Sequence, residues 1–164
     1  MFAKSTFVTL LLALSGAVQS APLDKRATCS SYVIIDTRGT GEAQGPSSGF
    51  ITMNQQIRST VSGGSEYDTV YPADFSQNSA SGTAAIVSKV QNTLASNPNT
   101  CFILEGYSQG AAATVDAMPQ LTGAAFNAVK GVILLGDPEH KPNLACNVDA
   151  MGGKTTAGAS GLEA

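Results

Sequence analysis

The sequence predicts an α/β fold in which a parallel central sheet is flanked by helices, within one domain. Three observations lead to this prediction. Short apolar runs alternate with segments of helical spacing, and the runs are apolar on both faces, as in buried parallel strands. Breaks that contain Gly or Pro separate these segments. With 164 residues, the chain is long enough to bury one hydrophobic core.

The first half of the chain predicts a strand, a helix and a second strand. Residues 32–36 are a β-rich apolar run, which ends before a Gly-rich segment. Apolar residues recur at helical spacing over residues 50–61, until a Gly-Gly pair ends this helix. Residues 67–71 alternate in polarity and predict the second strand, and a polar loop follows over residues 72–79.

The second half continues the alternation. Residues 80–95 predict a helix that an Asn-Pro pair ends, and residues 101–104 predict the third strand. A helix of small residues is expected over residues 111–118, before a fully apolar fourth strand at residues 132–136. The resulting order β-α-β-α-β-α-β favours right-handed crossovers and therefore a parallel sheet.

Composition and charge exclude several classes of function. Nine Lys and Arg against twelve Asp and Glu give a formal charge of −3, without a basic block, which argues against a nucleic-acid partner. Hydrophobic residues make up 43% and charged residues 13%, so the chain is not disordered by composition. One His and three Cys, without CxxC or HxxxH spacing, argue against a zinc site, and no metal is expected.

The amino-terminal segment has the pattern of a secretory leader. Lys4 precedes a mostly apolar run at residues 7–18, which predicts a signal peptide at residues 1–20. A short polar piece that ends in Lys-Arg predicts a propeptide at residues 21–26, so the secreted domain is expected at residues 27–164. The apolar run is too short to span a bilayer of about 30 Å as a helix, and no membrane association is expected.

A G-x-S-x-G motif stands between the third strand and the following helix. Gly106, Ser108 and Gly110 form this motif, which is typical of a nucleophile elbow when a strand precedes it and a helix follows. The turn would expose the Ser108 hydroxyl at the carboxyl end of the sheet, where ligands bind in such folds. The N–H of Gln109 would be one donor to a developing oxyanion.

A second oxyanion donor is expected from the loop after the first strand. The RGTGE segment at residues 38–42 lies at the same edge of the sheet, and Thr40 offers both an N–H and a hydroxyl. Residues 39–45 also approximate a dinucleotide-binding fingerprint. The final Gly spacing is one residue too long, and no acidic residue follows a second strand at the required distance, so no nucleotide cofactor is expected.

The GYSQG motif, the RGTGE segment and the FSQNSASGTA stretch at residues 75–84 together resemble the cutinase family, and most of all fungal cutinase-like polyester hydrolases. The resemblance runs from about Ser31 to the end of the chain. It implies a small, secreted α/β-hydrolase without a lid or cofactor, a monomer that cleaves cutin and other aliphatic esters with a Ser-Asp-His triad. By position, Ser108 resembles the nucleophile, and Thr40 and Gln109 resemble the oxyanion-hole residues.

The resemblance also implies that this domain is incomplete. Family members continue with a further strand, a loop with the catalytic Asp, a loop with the catalytic His, and a closing helix. Asp137 and His140 follow Ser108 in triad order. Because His140 comes only three residues after Asp137, we expect His140 to be a surface-loop residue and the triad to be false. Two alternatives stay open: a truncated, inactive member of the family, and a carbohydrate esterase of the acetylxylan-esterase type.

The cysteines add one expectation. Cys29 precedes the first strand and Cys101 begins the third, which are neighbouring positions in such a sheet, so the two are expected to form a disulfide. Cys146 is then left over. In a secreted protein, an odd cysteine indicates either a partner elsewhere or a free thiol.

Overall fold

The computed structural model describes residues 29–149, 151–154 and 158–162. The predicted signal peptide at residues 1–20 and propeptide at residues 21–26 lie outside the described residues, and both stay predictions.

Four parallel strands form one sheet in the described part of the chain, in the spatial order β2-β1-β3-β4. β1 and β3 are therefore central, and β2 and β4 are the two edges. The predicted α/β fold with a parallel sheet is confirmed. The strands are β1 (Ser31–Thr37), β2 (Gly64–Asp68), β3 (Thr100–Tyr107) and β4 (Val129–Leu135).

Helices connect the strands. They are α1 (Ile51–Thr60), α2 (Ala80–Ser96), α3 (Gln109–Ala117) and α4 (Gly123–Ala128), and a single 3₁₀ turn (Met118–Gln120) follows α3. Within the described ranges, none of these helices has both the length and the apolar character that crossing a bilayer requires.

The two faces of the sheet carry different side chains, because successive residues of a strand point to opposite sides. Val33 and Ile35 of β1 join the main hydrophobic core together with Phe102 and Leu104 of β3. Side chains of α2, α3 and α4 complete this core, so these three helices cover one face. The other face packs against α1, whose carboxyl end accepts a hydrogen bond of 2.8 Å from the Tyr32 hydroxyl to the carbonyl oxygen of Val61.

The second strand lies earlier in the chain than the alternation of residues 67–71 predicts. β2 begins at Gly64, over which the ring of Tyr32 packs so closely that a Cβ there would clash. Beyond Asp68 the chain leaves the sheet, and Tyr71 turns into the interior, where its hydroxyl donates to the carbonyl oxygen of Arg38. The alternation therefore continues past the end of β2 at Asp68, because Tyr71 is a buried loop residue.

Two further elements differ from the prediction: α4 was not predicted, and β4, which was expected at residues 132–136, begins earlier. α4 has six residues, too few for a helical period to be recognisable, and β4 begins at Val129 directly after it. The cysteines agree with the sequence analysis. The expected disulfide is confirmed: Cys29 and Cys101 are joined, with 5.5 Å between their Cα atoms. Cys146 is a free, exposed thiol.

Candidate active site

Ser108 occupies a sharp turn between β3 and α3. Its backbone has φ 53° and ψ −119°, a combination that costs a non-Gly residue roughly 1–3 kcal/mol. The turn directs the chain from the sheet straight into the helix, so the serine lies at the carboxyl edge of the sheet, next to the helix amino terminus. This is the strand-turn-helix geometry that the G-x-S-x-G motif predicts.

The two glycines of the motif are required by close packing. A Cβ on Gly106 would lie 2.6 Å from the Cα of Ala111 in the first turn of α3. A Cβ on Gly110 would lie 2.6 Å from the carbonyl oxygen of Arg38 and closer still to the carbonyl oxygen of Thr37. Any larger residue at either position would push α3 away from the sheet and displace Ser108.

Thr40 and Gln109 meet beside the serine. The Thr40 hydroxyl lies 3.3 Å from Oε1 of Gln109 and 3.1 Å from Oε1 of Gln77. Among the described residues, the backbone N–H groups of Thr40 and Gln109 have no hydrogen-bond acceptor. The structure therefore brings together two predicted donors whose N–H groups are both free to bind an anion.

Glu42 holds the shape of the loop that carries Thr40, which spans residues 38–48 and is called the Thr40 loop below. Its carboxylate accepts hydrogen bonds from the Gly39 N–H at 2.6 Å, the Ser47 hydroxyl at 3.0 Å and the Ser48 N–H at 2.8 Å. Burial opposes ionisation of Glu42, but these hydrogen bonds outweigh it and hold the pKa of the carboxyl below its ordinary value.

Arg38 anchors the start of the same loop. Its side chain is 4% exposed, and its guanidinium donates to the carbonyl oxygens of Glu42 at 2.9 Å and Thr69 at 3.1 Å. It also donates to the carbonyl oxygen of Tyr71, whose hydroxyl donates back to the carbonyl oxygen of Arg38. Carbonyl oxygens thus replace water around the buried cation, and these hydrogen bonds tie the Thr40 loop to the segment after β2.

An open cleft of about 540 Å³ contains Ser108 and Thr40. Phe75 and Leu162, which are 85% and 98% exposed, give this cleft apolar walls. The other lining residues are Gln77, Gly136, Asp137, Pro138, Ser160 and Gly161. A groove of about 700 Å³ at the amino ends of the strands holds none of the predicted site residues.

Sequence reasoning did not identify Phe75, Gln77 or Leu162 as residues of the site. Phe75 and Gln77 belong to the FSQNSASGTA stretch, which contributed to the family resemblance but received no role. Leu162 stands in a segment of small residues that gives no pattern. Only the fold brings these residues to the serine.

The structure places Asp137 in the cleft and His140 behind it. Asp137 lines the cleft, and its carboxylate accepts the backbone N–H of Glu139 at 2.9 Å. The Nε2 atom of His140 lies 3.1 Å from Nδ2 of Asn147, and His140 does not line the cleft. Within residues 29–149, 151–154 and 158–162, the Ser108 hydroxyl has no hydrogen-bond partner. The roles of Asp137 and His140 stay predictions.

Comparisons with known structures agree with this geometry. A cutinase-like protein from Cryptococcus sp. is 62% identical with a TM-score of 0.78, over 80% of this chain and 65% of that protein's chain. The catalytic core domain of acetyl xylan esterase from Trichoderma reesei is 28% identical with a TM-score of 0.66, over 73% of this chain and 69% of that one.

Sequence comparisons lead to the same group. The carboxylesterase Culp1 of Mycobacterium tuberculosis is 32% identical over 139 residues, which cover 80% of this chain and 64% of that protein. Cutinase 11 of Verticillium dahliae is 32% identical over 85% of this chain and 55% of its own length. The chain thus spans between half and two thirds of the length of these curated relatives. The family model described as Cutinase matches residues 28–159, and the chain therefore belongs to the cutinase family.

Proposed function

We propose that this protein is a secreted serine esterase that hydrolyses carboxylic ester bonds of cutin-like aliphatic polyesters and of short-to-medium acyl esters. The observation that carries the proposal is the position of Ser108, on a strained turn that opens into a cleft beside two free backbone N–H groups. The 62% identity with a cutinase-like protein favours the polyester substrate class over other esters.

In the proposed reaction, the Ser108 oxygen attacks the ester carbonyl carbon while a base removes the hydroxyl proton. The carbonyl oxygen becomes an oxyanion, which the N–H groups of Thr40 and Gln109 bind. When this intermediate collapses, the base gives its proton to the leaving oxygen, so the alcohol is released and an acyl-serine remains. Water, deprotonated by the same base, then attacks the acyl-serine through a second oxyanion at the same donors, and the base returns that proton to Ser108 as the acid leaves. No cofactor is needed, since every bond change is an acyl transfer.

The Gln109 side chain has a place in this scheme. It is 2% exposed, and its Nε2 atom has no hydrogen-bond partner among the described residues. A 180° turn of the amide would let Nε2 donate to the Thr40 oxygen. The Thr40 hydroxyl hydrogen would then bind the oxyanion in place of its other acceptor, Oε1 of the exposed Gln77, which lies 3.1 Å away. Gln109 would thus position Thr40 through its side chain and bind the oxyanion through its backbone.

The substrate's acyl chain is assigned to the open, apolar part of the cleft. The exposed ring of Phe75 and the exposed side chain of Leu162 offer contact to an insoluble chain without any covering segment having to move. Acetylated xylan is the second candidate substrate, because the acetyl xylan esterase from Trichoderma reesei shares this fold at 28% identity.

Assays of the purified chain and three variants test the proposal with p-nitrophenyl butyrate as substrate. Turnover that disappears in Ser108→Ala supports the esterase assignment, and equal rates for both proteins would leave an inactive or binding-only domain. Comparing product release from a polyester emulsion and from acetylated xylan decides between the two substrate classes.

The same assays identify the base. If His140 serves, His140→Ala loses activity as completely as Ser108→Ala does. If the base is not among these 164 residues, His140→Ala is as active as the unmodified chain. Added imidazole then raises the rate of ester hydrolysis by the unmodified chain and by His140→Ala. Ser108→Ala with imidazole shows only the rate at which imidazole itself hydrolyses the ester. A loss of activity in Asp137→Asn would indicate that this carboxylate orients an imidazole. Unchanged activity would indicate that it only accepts the Glu139 N–H in its own turn.

Secretion is proposed on two grounds. The Cys29–Cys101 disulfide suits an oxidising compartment, and the leader pattern at residues 1–20 predicts export. Expression with the native leader, followed by amino-terminal sequencing of the protein in the medium, tests this proposal. The expected first residue is Ala27. Size-exclusion chromatography of the same material checks the expected monomer.

A further inference from the structure

Carboxylates meet on the α1 face of the sheet. Asp36 of β1 is the register partner of Asp68 on β2 and of Glu105 on β3, so the three side chains stand side by side. Glu66 lies two residues before Asp68 and therefore shares that face. These four residues are called the acidic cluster below.

The acidic cluster is buried and poorly neutralised. Asp36 is 1% exposed and Glu105 is fully buried, and one oxygen of Asp36, one of Asp68 and both of Glu105 lack a hydrogen-bond partner in the described part of the chain. Arg58 makes an ion pair of 3.3 Å with Glu66 at the outer side of the cluster.

A neutral oxygen from α1 joins these carboxylates. The Asn54 side chain is fully buried, and its Nδ2 donates a hydrogen bond of 3.0 Å to Oε1 of Glu66. Its Oδ1 atom has no donor among the described residues, although it is held beside the acidic cluster. Buried oxygens without hydrogen-bond donors are costly, and a bound cation would satisfy the amide oxygen and the carboxylates together.

The spacing of the oxygens fits one ion. One carboxylate oxygen each from Asp36, Glu66 and Asp68 lie within 4.8 Å of one another. Oxygens bound to one Ca²⁺ ion at about 2.3–2.6 Å are at most about 4.6–5.2 Å apart, so oxygens within this limit can share a Ca²⁺ ion. Three carboxylates and an amide oxygen are also the all-protein oxygen set that Ca²⁺ takes, whereas Mg²⁺ is usually held by one or two carboxylates and keeps several waters.

We propose that Asp36, Glu66 and Asp68 bind a Ca²⁺ ion, with the Asn54 side-chain oxygen as a further ligand. Water would complete the coordination, and the half-buried Asp68 gives the ion a path from solvent. None of these four residues lines the cleft that contains Ser108, so the site is separate from the proposed esterase site.

The ion would act on the Thr40 loop through one hydrogen bond. The Ser47 N–H donates to Oδ2 of Asp36 at 2.9 Å, and the Ser47 hydroxyl donates to Glu42, which shapes the loop. Fixing Asp36 would therefore hold the far end of the Thr40 loop. The expected result of binding is a protein that unfolds at higher temperature, whether or not it turns over an ester.

Thermal unfolding of the chain after EDTA treatment and desalting tests this proposal. Increasing CaCl₂ is expected to raise the Tm in a saturable manner, by roughly 5–10 °C at a hundredfold excess over Kd. MgCl₂ is expected to give a clearly smaller rise, and KCl at matched ionic strength none. Titration calorimetry with CaCl₂ alone should give one ion per chain.

Variants make the test specific. Asp36→Asn and Asp68→Asn should each abolish the Ca²⁺-dependent rise in Tm. If Asp36→Asn does not fold because Asp36 is buried, Asp68→Asn alone provides the test. Asp116→Asn, which removes an exposed carboxylate on α3, should keep the full rise. A Tm that responds to CaCl₂ no more than to KCl, or a rise that survives in Asp68→Asn, would overturn the site. The cluster would then be a set of carboxyls that share protons.

Discussion

The backbone N–H of Ser108 donates a hydrogen bond of 2.8 Å to the carbonyl oxygen of Leu135, the last residue of β4. The candidate nucleophile is therefore positioned from two sides, by the turn that follows β3 and by the end of an edge strand. Gly136, which follows Leu135, has φ 61° and sets the direction of that carbonyl group.

We predict that Gly136→Ala lowers both stability and ester hydrolysis. The left-handed backbone at this position costs an alanine about 1 kcal/mol, and relaxation of that strain would turn the Leu135 carbonyl away from Ser108. Gly123→Ala is the matched control, because Gly123 has φ 54° with open space around its Cβ. Both variants should lose a similar Tm, and only Gly136→Ala should lose kcat.

Gly110→Ala is predicted to be much more damaging. Its Cβ would overlap the carbonyl oxygens of Thr37 and Arg38, so α3 must shift, at a cost of about 3 kcal/mol or more. Gly131→Ala provides the comparison, since a Cβ there meets nothing within 4 Å. Denaturant unfolding should separate the two variants clearly, and similar losses would contradict the close packing of the elbow.

Thr40 is predicted to act through its hydroxyl as well as its N–H. Thr40→Val keeps the shape and the backbone donor but removes the hydroxyl, so kcat should fall by about 100-fold with little change in KM. Thr40→Ser should retain most of the activity, because it keeps the oxygen that meets Gln77 and Gln109. An equal loss in both variants would point to packing and not to oxyanion binding.

The pH dependence of stability should reveal Glu42. Its pKa is lowered in the folded protein, so it stabilises the fold above the ordinary Glu pKa, and this contribution disappears as the pH falls through the lowered value. In Glu42→Gln, the amide has only one acceptor oxygen in place of the two carboxylate oxygens. The variant should therefore lose roughly 1–2 kcal/mol of unfolding free energy at pH 7. The difference in Tm from the unmodified chain should shrink below about pH 4.

The control for this prediction is Asp116→Asn, which also removes one negative charge but from an exposed position. Its Tm should follow the unmodified chain from pH 7 down to pH 3. A constant difference for Glu42→Gln across that range would show that the hydrogen bonds to Glu42 do not depend on its ionisation.

Sequence reasoning predicted the elements that have a clear period. The α2 prediction of residues 80–95 matches Ala80–Ser96, because Ile86 and Val90 recur at helical spacing against the core. It placed the second strand about three residues too late, at residues 67–71 instead of Gly64–Asp68, because the buried Tyr71 extends the alternation beyond the end of the strand. A local sequence pattern cannot distinguish a buried loop residue from a strand residue here, because the guanidinium that holds the loop belongs to Arg38, far away in the sequence.

In the candidate site, too, local motifs were predictable and features that depend on distant parts of the chain were not. The G-x-S-x-G spacing and the segment after β1 were sufficient to predict that Ser108, Thr40 and Gln109 lie together. The acidic cluster was not predicted, because Asp36, Asp68 and Glu105 are neighbours only through the register of three strands. A shift of one residue in either pairing would place them on opposite faces. Strands that are apolar on both faces have no polar alternation by which the sequence would indicate that register.

The Cys29–Cys101 bridge has a consequence for how the chain responds to proteolysis. The exposed Phe75 lies between the two cysteines, so a nick at that loop would give one fragment with Thr40 and another with Ser108 that remain covalently joined. Such a nicked molecule would migrate as one band on a non-reducing gel and as two bands after addition of thiol. Thr40 and Ser108 would thus stay in one covalently joined molecule after such a cleavage.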